Sequence, residues 1–345
     1  MPSPRRNGRR RPTIEDVARA ASVSTGAVSY AFNGRPGVAD ETRVRIMSAA
    51  RDLGWRPSAS ARALVHSRSR AVGLVMSRPA ALLESDPFFV RFLAGVETAL
   101  AEIDYALLLQ VVESGEAREH ECYERLAAAH RVDGVFLTDM RLNDPRFGLL
   151  RELGLATVGV GQPVGDVDFP WIGVDDAQGV AQIVAHLLEL GHERLAYVGG
   201  PPGYVHSIHR ERGWREELAV AGLTGPAEVG DFSEAGGARA TYRLLRSARR
   251  PTAIVYANDL MAVAGMAVAR ELDIRVPGHL SIASFDDIPL AAYVSPQLTT
   301  VRADVPAWGR EAAKLLVAEI EQRVDGAPPL GPVELIVRAS TGPPP

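Results

Sequence analysis

The stretch VSTGAVSYAFNGRPGV, residues 23–38, has the spacing of a short helix with a light first turn. Ser24 is a predicted helix N-cap, and the Asn33-Gly34 pair is typical of a helix end. Between them the apolar residues recur at helical spacing, and they are Ala27, Val28, Ala31 and Phe32. The first turn, Ser24-Thr25-Gly26, carries almost no side-chain volume, so its backbone can approach another surface closely.

Two further helical patterns flank this stretch, and no strand signal interrupts them. Thr13 begins the first, with the Thr-x-x-Asp spacing of a capping box, and the pattern runs to Ala21. The third is predicted from about Asp40 to Leu53, and Ala39 leaves its N-cap position without a capping side chain. Three short helices can form one small core, so we predict a separate all-α domain over residues 13–57.

Charge divides the chain into a basic head and an acidic body. Residues 1–70 contain 14 arginines and five acidic residues, a formal +9, whereas the remainder has 24 basic and 37 acidic residues, a formal −13. This division indicates a polyanionic partner for the head. Residues 1–12 are interpreted as a disordered basic tail, and residues 58–70 as a linker with a marginal helix that needs a partner.

From Ala71 onward, short apolar runs alternate with amphipathic helical stretches. Runs such as AVGLVMS, YALLLQVV, GVFLTD and AIVYAND have the character of buried parallel strands. Helices are predicted at Phe88 to Glu102, Ala177 to Leu190, Arg210 to Ala221 and Leu260 to Leu272. The alternation predicts doubly wound parallel sheets in two α/β lobes.

Several chemistries lack their residues in this sequence. Lys314 is the only lysine, so no P-loop lysine exists, and no GxGxxG, GxSxG or HExxH motif occurs. Cys122 is the single cysteine, which excludes an internal disulfide and a cysteine-based zinc site. His206 and His209 have no third metal ligand near them in sequence and are interpreted as surface or cleft-lining residues. We therefore predict no enzyme, no cofactor and no metal.

Apolar runs in the sequence are all too short to span a membrane, and the charged N-terminus is not followed by the apolar segment of a signal peptide. The expected location is the cytoplasm, with no membrane partner. No heptad repeat follows the last predicted strand, so we expect a homodimer rather than a four-chain assembly held by a C-terminal coiled coil.

The helices of the head have the order of a helix-turn-helix. In that motif the second helix lies in the major groove with its N-terminal residues at base edges, and the first crosses the backbone. Small residues at the start of the second helix let backbone N–H groups and hydroxyls reach phosphates. The head is therefore predicted to read double-stranded DNA.

Several blocks of the chain resemble the LacI/GalR family of bacterial transcription regulators. The segment PTIEDVARAASVSTGAVSYAFNGRPGVADETRVRIMSAARDLGWRPSASARAL resembles that family's DNA-binding segment. LGHERLAYVGG, PTAIVYANDLMAVAGM and LSIASFDDIPLAAYVSPQLTTVRAD resemble its effector domain. The resemblance extends over residues 12–341.

The resemblance implies DNA-contact roles for individual residues. Thr25, Gly26 and Tyr30 match base-reading positions, although Gly26 has no side chain with which to read. Phosphate contacts are implied for Thr13, Ser24, Ser29 and Asn33. SARAL, residues 60–64, matches the hinge helix, in which Ala61 and Leu64 face the minor groove and Leu64 is the wedge that kinks the duplex.

The resemblance also implies an effector domain like a periplasmic binding protein, spanning residues 71–345. Its N-lobe is expected at about 71–171 plus 302–331 and its C-lobe at about 174–299 plus 334–341, with the ligand between them. Effector contacts are implied for Phe88, Phe89, Arg210, Phe232, Asn258 and Asp286. Asp259 and Asp287 are interpreted as caps of the helices that follow them.

The function implied is that of a regulator, a repressor, whose affinity for a pseudo-palindromic operator is switched by a small molecule in the cleft. A sugar is the predicted effector, with a purine or another small metabolite as alternatives. Ligand-driven release and ligand-driven binding of DNA are both compatible with these residues. The alternative function is a sugar- or nucleoside-binding protein, or an enzyme of the same fold, without operator control. The binding protein predicts a signal peptide and no basic head, and the enzyme needs acid–base or phosphate-binding residues that we do not find in the sequence.

Overall fold

The computed structural model describes residues 12–32, 35–55, 68–78, 86–112, 115–323 and 330–345. The chain separates into two compact units, unit 1 up to Ser69 and unit 2 from Arg70 to Pro345. The predicted roles of Asn33, Ala61 and Leu64 fall outside the described residues, as do most of the predicted tail and hinge.

Unit 1 contains three helices in its described ranges: α1 (Ile14–Ala21), α2 (Thr25–Phe32) and α3 (Asp40–Leu53). Thr13 forms the predicted capping box with Asp16, and Ala39 makes no side-chain cap, as predicted. The helices enclose a core of small and medium apolar side chains, namely Val17, Ala18, Ala21, Val28, Ala31, Ile46 and Ala50. The three-helix head predicted from periodicity and capping is therefore confirmed.

Unit 2 begins with a five-stranded parallel sheet that forms the N-lobe. Its strands are β1 (Ala71–Met76), β2 (Ala106–Val111), β3 (Gly134–Leu137), β4 (Ala156–Val160) and β5 (Trp171–Ile172), in the order β2-β1-β3-β4-β5. The helices in this part of the chain are α4 (Pro87–Glu102), α5 (Glu116–Ala128) and α6 (Arg146–Glu152).

A six-stranded sheet forms the C-lobe. Its strands are β6 (Leu195–Gly199), β7 (Ala227–Val229), β8 (Ala253–Tyr256), β9 (Ser281–Asp286), β10 (Thr299–Arg302) and β11 (Glu334–Ile336), in the order β11-β10-β9-β8-β6-β7. Only β11 is antiparallel to its neighbour. Its helices are α7 (Asp176–Glu189), α8 (Val205–Val220), α9 (Glu234–Leu245) and α10 (Asp259–Glu271), with a 3₁₀ turn at Pro289–Ala292.

Helix α11 (Val305–Ile320) links the two lobes, because it follows C-lobe strand β10 and packs on N-lobe helix α4. Glycines allow this contact to be close. A Cβ on Gly95 would lie 2.1 Å from the Pro306 carbonyl oxygen, and one on Gly309 would lie 2.2 Å from the Phe92 carbonyl oxygen. The Trp308 indole N–H donates to the Ile172 carbonyl at 2.9 Å, which joins the same helix to the end of β5.

The strand and helix pattern predicted from Ala71 onward is present, with one displacement that affects the site. Helix α8 begins at Val205, five residues before the predicted start at Arg210. The difference places His206 and His209 on a helix, where His209 is buried and its Nε2 contacts the Gln162 carbonyl oxygen at 3.1 Å.

Candidate functional site

Helix α2 presents its predicted base-reading residues on the surface of unit 1. Thr25 and Gly26 are exposed at its start, and Tyr30 is 44% exposed one turn later. The opposite face buries Val28 and Ala31. A helix end with this arrangement can enter a groove without exposing the core of the domain.

Two of the predicted phosphate-contact residues, Thr13 and Ser24, cap helices of unit 1. Ser24 Oγ accepts a hydrogen bond from the Ala27 N–H at 3.1 Å, and a capping hydroxyl can still donate its proton. Thr13 Oγ1 donates to Asp16 Oδ2 at 3.0 Å and accepts from the Asp16 N–H at 3.4 Å. Ser29 is half-buried on α2.

Two arginines of α3 each donate to a carbonyl at the carboxyl end of another helix of unit 1. Arg43 Nη1 donates to the Ala31 carbonyl at 2.6 Å, near the end of α2, and Arg45 Nε donates to the Ala21 carbonyl at 3.0 Å, at the end of α1. Cations stabilise helix C-terminal ends through the exposed carbonyls and the helix dipole. These side chains therefore position α1 and α2 relative to α3.

Unit 2 contains a cleft of about 670 Å³, its open mouth included, between the two lobes. All six predicted effector residues line it: Phe88, Phe89, Arg210, Phe232, Asn258 and Asp286. Residues following several parallel strands meet here, as expected at the carboxyl ends of doubly wound sheets. His206, interpreted from the sequence as a surface or cleft-lining residue, lines the cleft, whereas sequence reasoning missed further polar and aromatic lining residues, namely Arg78, Asp86, Asp139, Asp176 and Trp308.

On the N-lobe side, one arginine is held between two carboxylates. Arg78 donates through Nε and Nη2 to Asp139 at 2.6 and 2.5 Å, and through Nη1 to Asp86 at 3.0 Å. We call these three residues the Arg78 cluster. Burial disfavours their charges, but Arg78 outweighs it at Asp139 and lowers that pKa, whereas burial dominates at Asp86 and raises its pKa.

On the C-lobe side, a second arginine has the same kind of surroundings. Arg210 Nε donates to Asp176 at 2.7 Å, and its Nη1 donates to the Ala257 carbonyl at 2.5 Å and approaches Asp286 Oδ1 at 3.5 Å. We call Arg210, Asp176 and Asp286 the Arg210 cluster. Burial raises the pKa of Asp286 well above its usual range even though Arg210 opposes the shift.

Three stacked rings form an aromatic wall of the C-lobe. The His206 ring lies 5.5 Å from Tyr204 and 5.2 Å from Phe232, nearly parallel to both. Burial and the nearby Arg210 lower the pKa of His206 to about 4, so the ring is neutral at pH 7. Phe232 has a φ of 65°, and a Cβ on Gly200 would lie 2.0 Å from its ring, so glycine is required behind it.

Main-chain hydrogen bonds beside this wall join the lobes. The Leu142 N–H donates to the Gly203 carbonyl at 3.1 Å, and the Val205 N–H donates to the Met140 carbonyl at 2.9 Å. Val205 also packs in an N-lobe apolar cluster. These contacts fix the start of α8, and with it the position of His206.

The two N-lobe phenylalanines have different surroundings. Phe89 is 3% exposed, and the Arg78 guanidinium lies over its ring at 4.7 Å. Phe88 is half-buried and meets the Trp308 ring edge to face at 5.5 Å. Phe89 therefore supports the Arg78 cluster from below, while Phe88 and Trp308 form the apolar wall on this side.

Asn258 lies in the cleft wall, but both ends of its amide are engaged. Its Oδ1 caps α10 by accepting from the Met261 N–H at 3.1 Å, and its Nδ2 donates to the Phe232 carbonyl at 3.0 Å. The amide thus positions Phe232, which a sequence match to an effector contact does not reveal.

The predicted capping roles of Asp259 and Asp287 are wrong. Because Asn258 is the N-cap, Asp259 lies inside α10 and accepts from Thr300 Oγ1 at 2.6 Å, from the Ile288 N–H at 2.8 Å and from Ser284. Asp287 pairs with Arg302 and Arg338, each at 2.6 Å. Both carboxylates hold the C-lobe strand ends together.

The described part of the chain has neither a candidate metal site nor a candidate membrane-spanning helix. No set of three His, Cys, Asp or Glu side chains is arranged to hold a metal ion. None of the helices found there is long and apolar enough to cross a membrane.

Comparison with known protein families gives two matches. Residues 13–58 match the family described as "Bacterial regulatory proteins, lacI family", and residues 184–341 match "Periplasmic binding protein-like domain". The chain is 35% identical over 317 residues to the HTH-type transcriptional regulator CelR of Thermobifida fusca, covering 90% of this chain and 93% of that one. It is 31% identical over 314 residues to the regulator GalR of Escherichia coli (strain K12), covering 90% of each.

Two solved structures of transcription regulators are also similar to this chain. The lac repressor dimer bound to operator and the anti-inducer ONPF has a TM-score of 0.84 at 26% identity, with 96% of this chain and 100% of that chain covered. A complex of the transcriptional regulator CelR with cellobiose has a TM-score of 0.74 at 33% identity, with the same coverage.

Proposed function

This chain belongs to the LacI family of bacterial transcription regulators, and from that premise we propose that it is a repressor whose operator affinity is switched by a sugar. A single observation carries the proposal: one chain combines an exposed helix-turn-helix with a cleft built from charged clusters and aromatic walls. The relatives named above are regulators rather than enzymes, and we assign no catalytic role to the cleft. The location that suits this function is the cytoplasm.

In the proposed DNA complex, α2 lies in the major groove. Thr25 and Tyr30 read base edges, while Gly26 provides clearance for the backbone. Thr13, Ser24, Ser29 and Asn33 contact phosphates. A homodimer places two such helices on a pseudo-palindromic operator, as the operator-bound dimer of the lac repressor supports.

In the proposed effector complex, a sugar lies between the lobes. The Arg78 and Arg210 clusters supply hydrogen-bonding groups from opposite sides, and Phe88, Phe232 and His206 supply ring faces for its apolar edges. The cellobiose complex of the related regulator supports this ligand class. A ligand that contacts both lobes binds one lobe arrangement more tightly than another and therefore favours it. In the proposed switch, operator affinity changes with this arrangement of the lobes, which β10 and α11 connect.

A gel-shift titration of the full-length protein against genomic fragments tests the DNA-binding half. We expect specific retention whose affinity falls about 10³- to 10⁵-fold between 50 and 200 mM salt for six to ten phosphate contacts. Protein lacking residues 1–70 is the control, and it should retain no fragment. Retention that survives this deletion, or that shows no sequence preference, would contradict the proposal.

A thermal-shift screen of sugars and nucleobases tests the effector half. A sugar that stabilises the wild-type protein should lose its effect in Arg210→Ala, because the variant removes the centre of the Arg210 cluster. Stabilisation by a nucleobase alone would replace the sugar with a purine effector and leave the DNA-binding half intact.

A further inference from the structure

Each lobe lines the cleft with one arginine, and each arginine is already neutralised by this chain. In the Arg78 cluster, three guanidinium nitrogens donate to two carboxylates. In the Arg210 cluster, Nε and Nη1 bind Asp176 and the Ala257 carbonyl, and Asp286 lies at the same edge. Four carboxyl groups thus face two guanidinium groups, a formal balance of −2 when all four are ionised and −1 when Asp286, whose pKa burial raises, is protonated.

The lining residues described by the structure add no further cation to this balance. His206 is the remaining basic lining group, and burial with the adjacent Arg210 lowers its pKa to about 4, so it is neutral at pH 7. Arg91 of α4 directs its Nη1 at the main-chain carbonyls of Asp286 and Asp287, both at 3.5 Å, and it lies outside the lining.

Phosphate groups are recognised in proteins by unengaged arginine forks, lysines or clustered N–H donors. Arg78 and Arg210 already pair with carboxylates that are largely buried, so a phosphate here would compete with those carboxylates for the guanidinium charge, and an unpaired buried carboxylate is strongly unfavourable. A hydroxyl group has no such requirement, since it donates to carboxylate lone pairs that the arginines leave open and brings no charge.

We infer that the cleft selects an uncharged, hydroxyl-rich effector and rejects the phosphorylated form of the same sugar. The inference rests on the proposed function and adds a rule of charge selection to it. The two clusters provide that rule from both lobes, and Phe88 and Phe232 on the walls accept the apolar edges of a neutral ring.

Titration calorimetry of the full-length protein tests the inference with matched ligands. A panel of neutral mono- and disaccharides, cellobiose included, is compared with the phosphate ester of each member that is obtainable, such as glucose with glucose 6-phosphate. We expect every neutral sugar that binds to bind at least about tenfold tighter than its ester. An ester that binds as tightly as its neutral partner overturns charge selection.

Charge-removing variants test the assignment to the two clusters. Asp139→Asn removes a carboxylate that pairs with Arg78, and Asp286→Asn removes one beside Arg210. In each variant the ratio of the affinity for the neutral sugar to the affinity for its phosphate ester should fall about tenfold or more. Asp168→Asn is the matched control, because Asp168 is half-exposed in an ion pair with Arg151 outside the cleft. Using two variants guards against one that fails to fold.

The outcomes separate the two levels of the proposal. If both cluster variants keep the wild-type ratio, as Asp168→Asn should, the clusters do not set charge selection and the inference fails. If no sugar of either panel binds, the sugar assignment fails and this inference fails with it, while the gel-shift result stands independently.

Discussion

A side chain at Gly26 is expected to affect the stability of the fold and the affinity for DNA in opposite directions. A Cβ at this position would lie 3.6 Å from Ser24 Oγ, an ordinary van der Waals distance, so the free domain accepts alanine. We expect Gly26→Ala to raise the free energy of unfolding by up to about 1 kcal/mol, because alanine favours a helix over glycine. Operator affinity should nevertheless fall about tenfold, since the methyl group occupies the proposed clearance at the groove.

The matched control for Gly26→Ala is Gly148→Ala. Gly148 lies inside α6 in unit 2, and a Cβ there has no neighbour within 4 Å. The control should gain stability without a change in operator affinity, measured by gel shift at one salt concentration. Unchanged operator affinity in Gly26→Ala would remove the proposed role of the bare first turn.

The buried Asp286 predicts a pH dependence of effector binding. Burial raises its pKa well above the usual range; Arg210 opposes this, and the negative charges of Asp259, Asp86 and Asp176 add to it. A sugar hydroxyl that donates to Asp286 favours the ionised form, so binding releases a proton. Sugar affinity should therefore fall as the pH is lowered through the raised pKa, by at most about tenfold per pH unit.

Calorimetry between pH 8 and pH 5 checks this dependence, and buffers of different ionisation enthalpy report the proton release. Asp286→Asn has no proton to lose and should flatten the profile. Sugar affinity that rises toward low pH would show that the neutral acid, rather than the carboxylate, meets the ligand.

Single residues also show where sequence reasoning reaches its limit. Helix α10 is capped one position earlier than predicted. Asn258 therefore caps the helix and supports Phe232, and Asp259 is a buried hydrogen-bond acceptor. Asp139 ends a recognisable strand pattern, so the rule that placed Asn258 and Asp286 in the cleft could have identified it. Asp176 carries no such signal, because it lies in the first turn of a helix and reaches the cleft only through tertiary packing.

At the level of elements, the contact between α4 and α11 depends on glycine. Gly309→Ala would bring a methyl group within 2.2 Å of the Phe92 carbonyl oxygen, which belongs to the backbone and cannot rotate away. We expect a loss of about 1–3 kcal/mol or more in the free energy of unfolding, because α11 must move off α4.

Urea unfolding followed by far-ultraviolet circular dichroism measures this loss. Gly148→Ala again provides the contrast, since the same exchange in open space should raise stability by about 0.5–1 kcal/mol. Equal behaviour of the two variants would mean that the α4–α11 contact relaxes without cost.

Apolar runs predicted the positions of buried strands and also that of the edge strand β2, which has no buried residue, so the buried character expected of YALLLQVV is wrong. Strands such as β3, β6 and β8 are buried at every residue and were identified from their apolar runs. Strand β7 escaped detection because it has three residues and two of them are exposed. The predicted start of helix α8 is five residues too late. Its apolar and polar residues are hardly separated between two faces of the helix, so its first turns resemble a loop in sequence.

On the scale of the whole molecule, effector and operator must act on each other to the same extent. If the sugar changes operator affinity by a given factor, a saturating operator duplex changes sugar affinity by that factor, typically about 5- to 150-fold. Sugar titrations with and without the operator duplex measure it, and a scrambled duplex of equal length is the control. The same sugar affinity with and without the operator duplex would contradict the proposed switch.

Helix α11 also carries the only lysine of the chain, Lys314, which is 59% exposed and pairs with Glu311. An amine-reactive fluorophore therefore has two targets on each chain, this side chain and the amino terminus. The sole cysteine, Cys122, lies buried in the N-lobe, so thiol reagents leave the folded protein largely unlabelled. A dye on Lys314 would sit on the helix that joins the lobes and report their rearrangement optically, without any engineered attachment point.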